Sequence, residues 1–353
     1  MSKSKNVIWI SPWFRSFSSH NLFLIEKLGF ECFIVSSNSH LASDGMLYTN
    51  HVLTTKERIA RITGKIKFII EVLKTKHSKR LNKSIFIIDV NDSLFWTFLS
   101  LVTSINSERI FVLHNAIDQD NSQQPFLSRR VIRKCLIRRA KRIIVFSQFV
   151  KSKTKLQTKA QIDIVPLLPE ISIAPFVKNQ AKEEKFILAM IGRWSPYKGF
   201  EFGIRVFEIL RNTLGPKIEL HLQLSGLNDD NHQFLIPGIK VLSRESFSWN
   251  DLVDNLQSAS LILLPYQDAS QSGVQVLANA LSIPTLVSPV GGLPEYQDPK
   301  LPPLELDETL WAKRIIQIIE DINSYRDSCV LHVLNTLEEK VLLKSWSKAL
   351  NYD

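Results

Sequence analysis

The stretch that most limits how this 353-residue chain can fold is Ile187-Leu188-Ala189-Met190-Ile191 with its continuation Gly192-Arg193-Trp194-Ser195-Pro196-Tyr197-Lys198-Gly199. An unbroken apolar run fits a strand buried on both faces of a parallel sheet. Gly192 ends it, Pro196 and Gly199 mark a turn, and Phe202, Val206, Phe207 and Leu210 recur at helical spacing beyond. An arginine and a lysine are thereby placed between the C-terminal end of a strand and the start of a helix, where open α/β sheets take ligands and helix N-termini favour phosphate. Arg supplies a fork of donors and Lys a mobile point charge, which together suit a pyrophosphate. A solvated basic loop is the alternative.

The design repeats about 70 residues on. Leu261-Ile262-Leu263-Leu264-Pro265 reads as a strand, followed by Tyr266-Gln267-Asp268-Ala269-Ser270-Gln271-Ser272-Gly273-Val274 and a helical run to Leu281. A further strand, Pro284-Thr285-Leu286-Val287-Ser288, leads into Val290-Gly291-Gly292-Leu293-Pro294-Glu295. Small residues at such turns let backbone N–H groups approach an anion. Two turns of this kind can converge on one diphosphate.

The order Gly-Arg-x-x-Pro-x-Lys-Gly, then Ser-Gly-Val with a downstream Pro, then Gly-Gly-Leu-Pro-Glu resembles the retaining family-four glycosyltransferases. The resemblance is strong over about residues 185–296. It implies an α/β chain of GT-B fold, two Rossmann-like domains facing an interdomain cleft, that transfers a sugar from a nucleotide-diphosphate donor. It implies that Arg193 and Lys198 bind the donor diphosphate. It also assigns Gly192, Ser270, Gln271, Ser272, Gly273, Val274 and Glu295 to the donor side, and Arg244, after the strand Ile239–Leu242, to the nucleobase. The family's usual pair of glutamates is missing: the matching positions are Ala269 and Leu277. Gln271-Ser272-Gly273-Val274 resembles the branch of the family that carries a Gln-Ser-Gly-Val loop. That loss implies an altered ribose contact rather than a lost phosphate clamp.

In the first half, Val7-Ile8-Trp9-Ile10 and Cys32-Phe33-Ile34-Val35 read as strands around a helix from about His20 to Leu28. In the family the first loop faces the acceptor. Here it has no Gly, but the small Ser18 and Ser19 lie at the expected helix start, and its aromatics either stack on an acceptor or join the core. Strands at Ile85–Val90 and Arg109–Leu113 follow, the second ending at His114-Asn115. His114 matches a His-Asn pair of the family and is the catalytic-side candidate of this half, suited to hydrogen-bond a donor-sugar hydroxyl. His20 and Asp92 are weaker candidates. Ile143–Ser147 and Asp163–Pro166 complete the strands of this half.

Charge divides unevenly. Residues 1–175 hold 27 Lys and Arg against 12 Asp and Glu, whereas residues 176–353 hold 17 against 22. Two basic helices carry much of the excess. In the first, about Lys56 to Lys76, Ile59, Ile62, Ile66, Ile69, Ile70 and Leu73 form the apolar set. In the second, Phe126 to Arg142, Leu127, Val131, Cys135 and Leu136 are expected to face inward. A solvated basic surface and an anionic membrane surface both fit. No zinc-finger spacing or RNA-binding aromatic signature supports nucleic acid.

The expected domains are 1–170 (acceptor-binding), a linker at 171–185, 186–335 (nucleotide-sugar-binding), and a helix over 336–353 crossing back to the first. Cys32, Cys135 and Cys329 are few, odd in number and scattered, as reduced cytosolic thiols would be. The start, Met1-Ser2-Lys3-Ser4-Lys5, lacks a signal-peptide layout. The expectation is a cytoplasmic glycosyltransferase, peripheral at the inner face of the cell membrane, that uses a nucleotide sugar as substrate and needs no cofactor or metal. Its acceptor would be a glycan or a lipid-linked glycan. A sugar-nucleotide epimerase and a non-catalytic subunit scaffolding a membrane glycan assembly are the rival readings.

Overall fold

Strands whose every side chain is apolar need cover on both faces, and both sheets of this protein provide it. The computed structural model describes residues 6–11, 15–36, 52–53, 62–78, 81, 84–90, 93–115, 127–169, 185–226, 236–245, 247 and 249–351. The chain divides into two compact units, Met1–Glu170 with Glu339–Asp353, and Ile171–Glu338.

The first unit alternates strands and helices: β1 (Asn6–Ile10), α1 (Arg15–Lys27), β2 (Glu31–Val35), β3 (Val52–Leu53), α2 (Ile62–Ser78), β4 (Ile85–Asp89), α3 (Leu94–Thr103), β5 (Glu108–Val112), α4 (Leu127–Arg139), β6 (Arg142–Val145), α5 (Gln148–Lys155) and β7 (Gln161–Ile164). Its sheet is parallel throughout, in the order β3-β2-β1-β4-β5-β6-β7. One face packs Ile8, Phe33, Phe86, Ile88 and Phe111 against Phe68 and Val72 of α2, Trp96 and Leu99 of α3, and Ile137 of α4.

The second unit continues with β8 (Phe186–Arg193), α6 (Phe200–Leu214), β9 (Ile218–Ser225), β10 (Ile239–Arg244), α7 (Trp249–Gln257), β11 (Leu261–Leu264), α8 (Gly273–Ala280), β12 (Thr285–Val287), α9 (Glu308–Glu320) and α10 (Ile322–Thr336). Its parallel sheet runs β10-β9-β8-β11-β12. The two-residue period of a strand explains the apolar run from Ile187 to Ile191. Leu188 and Met190 face α6 and α9, with Val206, Phe207, Trp311 and Ile315. Ala189 and Ile191 face the opposite layer, with Leu277 and Leu281 at α8.

The last helix, α11 (Glu339–Leu350), belongs to the first unit. Trp346 is fully buried, meets Trp9 edge-on at 5.6 Å and donates its indole N–H to Asn21 Oδ1 at 3.0 Å. Arg142 fastens the far end. Its guanidinium pairs with Glu108 at 2.9 Å and donates to the carbonyl of Ala349 in the last turn of α11, where a cation opposes the helix dipole.

Three expectations are corrected. The helix after β1 begins at Arg15, so Ser18 lies inside its first turns and is buried, not ahead of the helix. In α2 the inward residues are Phe68 and Val72, while Ile66 (52% exposed), Ile70 and Leu73 face outward. Apolar residues occur on almost every side of this helix, so spacing alone gives no single stripe, and the largest side chain takes the core. In α4, Ile137 is buried, whereas Val131 and Cys135 are exposed. Ile59, Asp92 and the first residues of the expected basic helices lie outside the described residues.

At the start of β9, Glu219 accepts from Lys185 at 2.6 Å and sits 2.7 Å from Lys240 and 3.1 Å from His221. Lys185 first, then Lys240 and His221, pull its carboxyl down to about 2 against the opposing effect of burial. A depressed carboxylate stabilises the fold above its unfolded value and stops doing so as pH falls through the folded one. Glu219→Gln is therefore expected to cost about 1–2 kcal/mol at neutral pH. The gap from the unmodified chain should narrow between about pH 5 and pH 3. Urea midpoints across that range check it; a gap independent of pH would mean the charge is not responsible.

Candidate active site

Three strand-to-helix loops of the second unit meet at the C-terminal ends of β8, β11 and β12, which are neighbours in the sheet. The first begins at Gly192, whose φ of +139° carries the chain out of β8. A Cβ placed there would lie 2.8 Å from Lys198 Nζ, so the ammonium rests directly over bare backbone. A turn of 3₁₀ helix, Pro196–Lys198, then leads through Gly199 into α6.

Lys198 is half-buried, and two tyrosines hold it. Its ammonium donates to the Tyr266 hydroxyl at 2.9 Å and stands over the Tyr266 ring at 4.6 Å and the Tyr197 ring at 5.6 Å. The two rings meet edge-on at 5.9 Å. Burial works to lower the lysine's pKa, but the phenols of Tyr266 and Tyr197 together outweigh it, and the pKa is raised; Arg193 opposes that rise through its own charge. Lys198 is thus fixed in its charged form. Arg193, the last residue of β8, is exposed and passes over Gly226 at the end of β9, with 3.9 Å from its Cγ to a Cβ placed there.

The second loop supplies backbone donors. Ser272 caps α8 by accepting the Gln275 amide at 3.3 Å, and the Val276 amide reaches the Ser272 carbonyl. The amides of Gly273 and Val274 open the first turn, where a helix has no upstream carbonyl to offer. A Cβ on Gly273 would meet nothing within 4 Å, so there is room beside this first turn. Ser270 and Ser272 are buried beside it. Gln271 is half-buried, and its side-chain oxygen has no hydrogen-bond partner among the described residues. The loops are tied together: the Gln267 amide donates to the Tyr197 carbonyl at 2.7 Å, and the Gly292 amide to the Ala269 carbonyl at 3.3 Å.

The remaining expected residues are more dispersed. Glu295 is exposed on the 3₁₀ turn after β12. Arg244 ends β10, two strands from β8, exposed and paired with Asp251 at 3.2 Å. Ala269 and Leu277, where relatives would carry glutamates, are both buried in the core. In the first unit His114 follows β5, its Nε2 3.5 Å from Asp89 Oδ1 and its ring 5.0 Å from that of Phe146. Asp89 also accepts the Trp9 indole at 3.2 Å. His20 is structural: buried, it hydrogen-bonds the Pro169 carbonyl at 2.9 Å through Nδ1, and burial lowers its pKa. Ser18 is buried in α1, and the Ser19 side chain lies outside the described residues.

Sequence reasoning gave no role to Tyr197, Tyr266 or Asp89. Tyr266, the second residue beyond β11, stands at a ligand-facing strand end, and that position was the available signal. Among the described residues no three His, Cys, Asp or Glu side chains gather as a metal site, and no helix is long and apolar enough to cross a membrane.

Two Rossmann-like units, each built on a parallel sheet, one of them with Arg193, Lys198 and the start of α8 at its strand ends, define the class: the fold is that of GT-B glycosyltransferases. Residues 185–321 match the family described as Glycosyl transferases group 1. Sucrose-phosphate synthase from Thermosynechococcus elongatus superposes with a TM-score of 0.71 at 13% identity, covering 98% of each chain. The pneumococcal O-GlcNAc transferase GtfA, solved with UDP and GlcNAc, gives 0.68 at 11% identity over 99% of each chain. TarM gives 0.63 at 15% identity over 80% of this chain, which spans only 58% of TarM's length. No curated protein matches the sequence significantly. The comparisons thus show the GT-B fold for the chain and a match to that family over residues 185–321.

Proposed function

We propose that the protein is a retaining glycosyltransferase that moves a sugar from a nucleotide-diphosphate donor to a glycan or lipid-linked glycan in cell-surface polysaccharide synthesis. The observation that carries this reading is the Lys198 ammonium, held charged over Gly192 by two tyrosines, at the same C-terminal end of the sheet as the first turn of α8, which begins at Gly273. As the glycosidic bond breaks, negative charge grows on the leaving diphosphate. Arg193, Lys198 and the amides of that first turn are preorganised donors for that charge. Such a step needs no general acid for the leaving group, because the diphosphate departs as a stabilised anion. Gln271, with an unused acceptor, is suited to a donor hydroxyl, and Arg244 to the base. His114, steadied by Asp89, is suited to a sugar hydroxyl in the first unit. The basic surface of that unit is proposed to meet anionic lipid at the inner face of the membrane, with the protein in the cytoplasm.

Titration calorimetry with UDP, GDP and ADP tests the reading. One of them, UDP first in view of its presence in the GtfA complex, is expected to bind in the micromolar range, with an affinity that falls when the diphosphate is shortened to a monophosphate. Binding of none of the three would remove the enzyme assignment. The anomeric configuration of the product by NMR tests retention separately, since an inverted product leaves transfer standing and rejects only the retaining course.

A further inference from the structure

The first unit contains a cavity at the opposite end of its strands from His114. It lies between α3 and α4 at the starts of β5 and β6, where Glu108 and Arg142 begin their strands. Five residues of β5 separate the two ends, about 15 Å at the rise of a strand. The cavity measures about 740 Å³, within the roughly 300–1,000 Å³ of small-molecule pockets.

Its chemistry is two-sided. Leu101, Phe111, Val131 and Leu136 give it an apolar interior. Arg109, Arg139 and Lys141 add three cations to the lining, Arg139 and Lys141 with exposed side chains. Among the described residues Glu108 is the one carboxylate lining it, and Arg142 already neutralises that charge at 2.9 Å. The net field is therefore positive beside a hydrocarbon-sized hollow. Val131, one of the lining residues, is itself 55% exposed, so apolar surface reaches the mouth of the cavity. Water-soluble anions have no use for such an interior, and neutral apolar ligands have no use for three cations.

We infer that this cavity binds one anionic lipid, its alkyl chain between α3 and α4 and its anionic head on Arg139, Lys141 and Arg109. The site is separate from the nucleotide-sugar reading of the second unit and does not depend on it. Both a bilayer phospholipid and a free fatty acid have this chemistry.

Cys135 provides the readout, because it lines the cavity and is exposed. The other two cysteines, Cys32 and Cys329, are 0% and 1% exposed, and burial pushes both thiols up, that of Cys329 to about 12. Maleimide labelling of the whole chain therefore reports on this cavity alone. Lysophosphatidylglycerol below its micellar concentration is expected to slow labelling at least tenfold. Lysophosphatidylcholine of the same chain length and glycerol 3-phosphate should leave the rate within about twofold, because each lacks one half of the required chemistry. Arg139→Glu with Lys141→Glu should abolish the protection, with far-UV circular dichroism unchanged because both side chains are exposed. Val131→Glu, at an exposed position of the lining, is a second variant expected to do the same. Protection by phosphatidylglycerol vesicles upholds the site with a bilayer lipid as its source; protection by oleate and not by vesicles upholds it with a fatty acid. A labelling rate unchanged by every anionic amphiphile, or slowed equally by lysophosphatidylcholine or glycerol 3-phosphate, overturns the inference.

Discussion

Lys198→Ala is expected to lower kcat/KM for the nucleotide sugar by about 10²–10³, the range found when one preorganised donor to a developing oxyanion is removed. More of that loss should fall on kcat than on KM, because the diphosphate carries more charge as it leaves than when it binds. The variant should still fold. Lys198 is half-buried, and among the described residues its one hydrogen-bond partner is a phenol that can turn to water and no carboxylate pairs with it. Its melting temperature is expected to stay within a few degrees of the unmodified chain. Lys198→Arg tests placement as opposed to charge. The ammonium fits over Gly192 between two aromatic faces, a point charge in a narrow seat, and a planar guanidinium does not copy it. Arginine should recover less than a tenth of the lost activity. Tyr266→Phe keeps the ring and removes the hydroxyl that orients the ammonium, so a loss of about tenfold is expected, roughly one charge-assisted hydrogen bond. If Lys198→Ala retains activity within tenfold, the lysine is not a diphosphate ligand.

That prediction rests on a part of the molecule that is legible in the sequence. The β8 run, the turn after it and the apolar face of α6 are local patterns, each strong enough to read alone, and the structure assembles them in that order. The same holds for β11, α8 and β12. What stays illegible comes from tertiary competition. In α2, Ile66, Ile70 and Leu73 are spaced as well as Phe68 and Val72 for a buried stripe, and only the packing of α3 beside them decides which side is inside. The tyrosine clamp on Lys198 is invisible for a different reason. Tyr197 and Tyr266 are 69 positions apart, and their meeting depends on β8 and β11 being adjacent in the sheet. His20 shows the converse case: its partner is the Pro169 carbonyl, a contact across 149 positions that turns a titratable side chain into a structural one.

Gly291→Ala should be the most damaging single-atom-scale change in the second unit. Gly291 has φ +58°, in the left-handed region, and a Cβ there would lie 1.4 Å from the Ala269 carbonyl oxygen and 2.6 Å from its carbon. Both contacts are with backbone, so no side-chain rotation relieves them. The loop after β12 must move, and it is the loop that holds the preceding one in place. The next residue, Gly292, donates its amide to that Ala269 carbonyl, and Ser288 donates its hydroxyl to the Tyr266 carbonyl. Tyr266 and Ala269 belong to the loop that leads from β11 to Ser272 and the first turn of α8. A displacement large enough to clear the overlap would therefore shift both the Lys198 seat and the amide pair. The expected cost is about 2–4 kcal/mol of stability, combining backbone strain with the clash. Nucleotide diphosphate affinity should fall by at least 100-fold, as misplaced donors lose their geometry. Gly273→Ala is the matched control, at a glycine whose Cβ would meet nothing within 4 Å. Its melting temperature should equal or slightly exceed that of the unmodified chain, since alanine suits a helix better than glycine by about 1 kcal/mol. Its nucleotide affinity should nevertheless drop about tenfold, because the new methyl stands where the phosphate would approach the amides. Calorimetric melting and nucleotide titration of the two variants separate the cases. If Gly291→Ala melts and binds like the unmodified chain, the two loops are not coupled through Ala269. If Gly273→Ala binds normally, the phosphates do not rest on the first turn of α8.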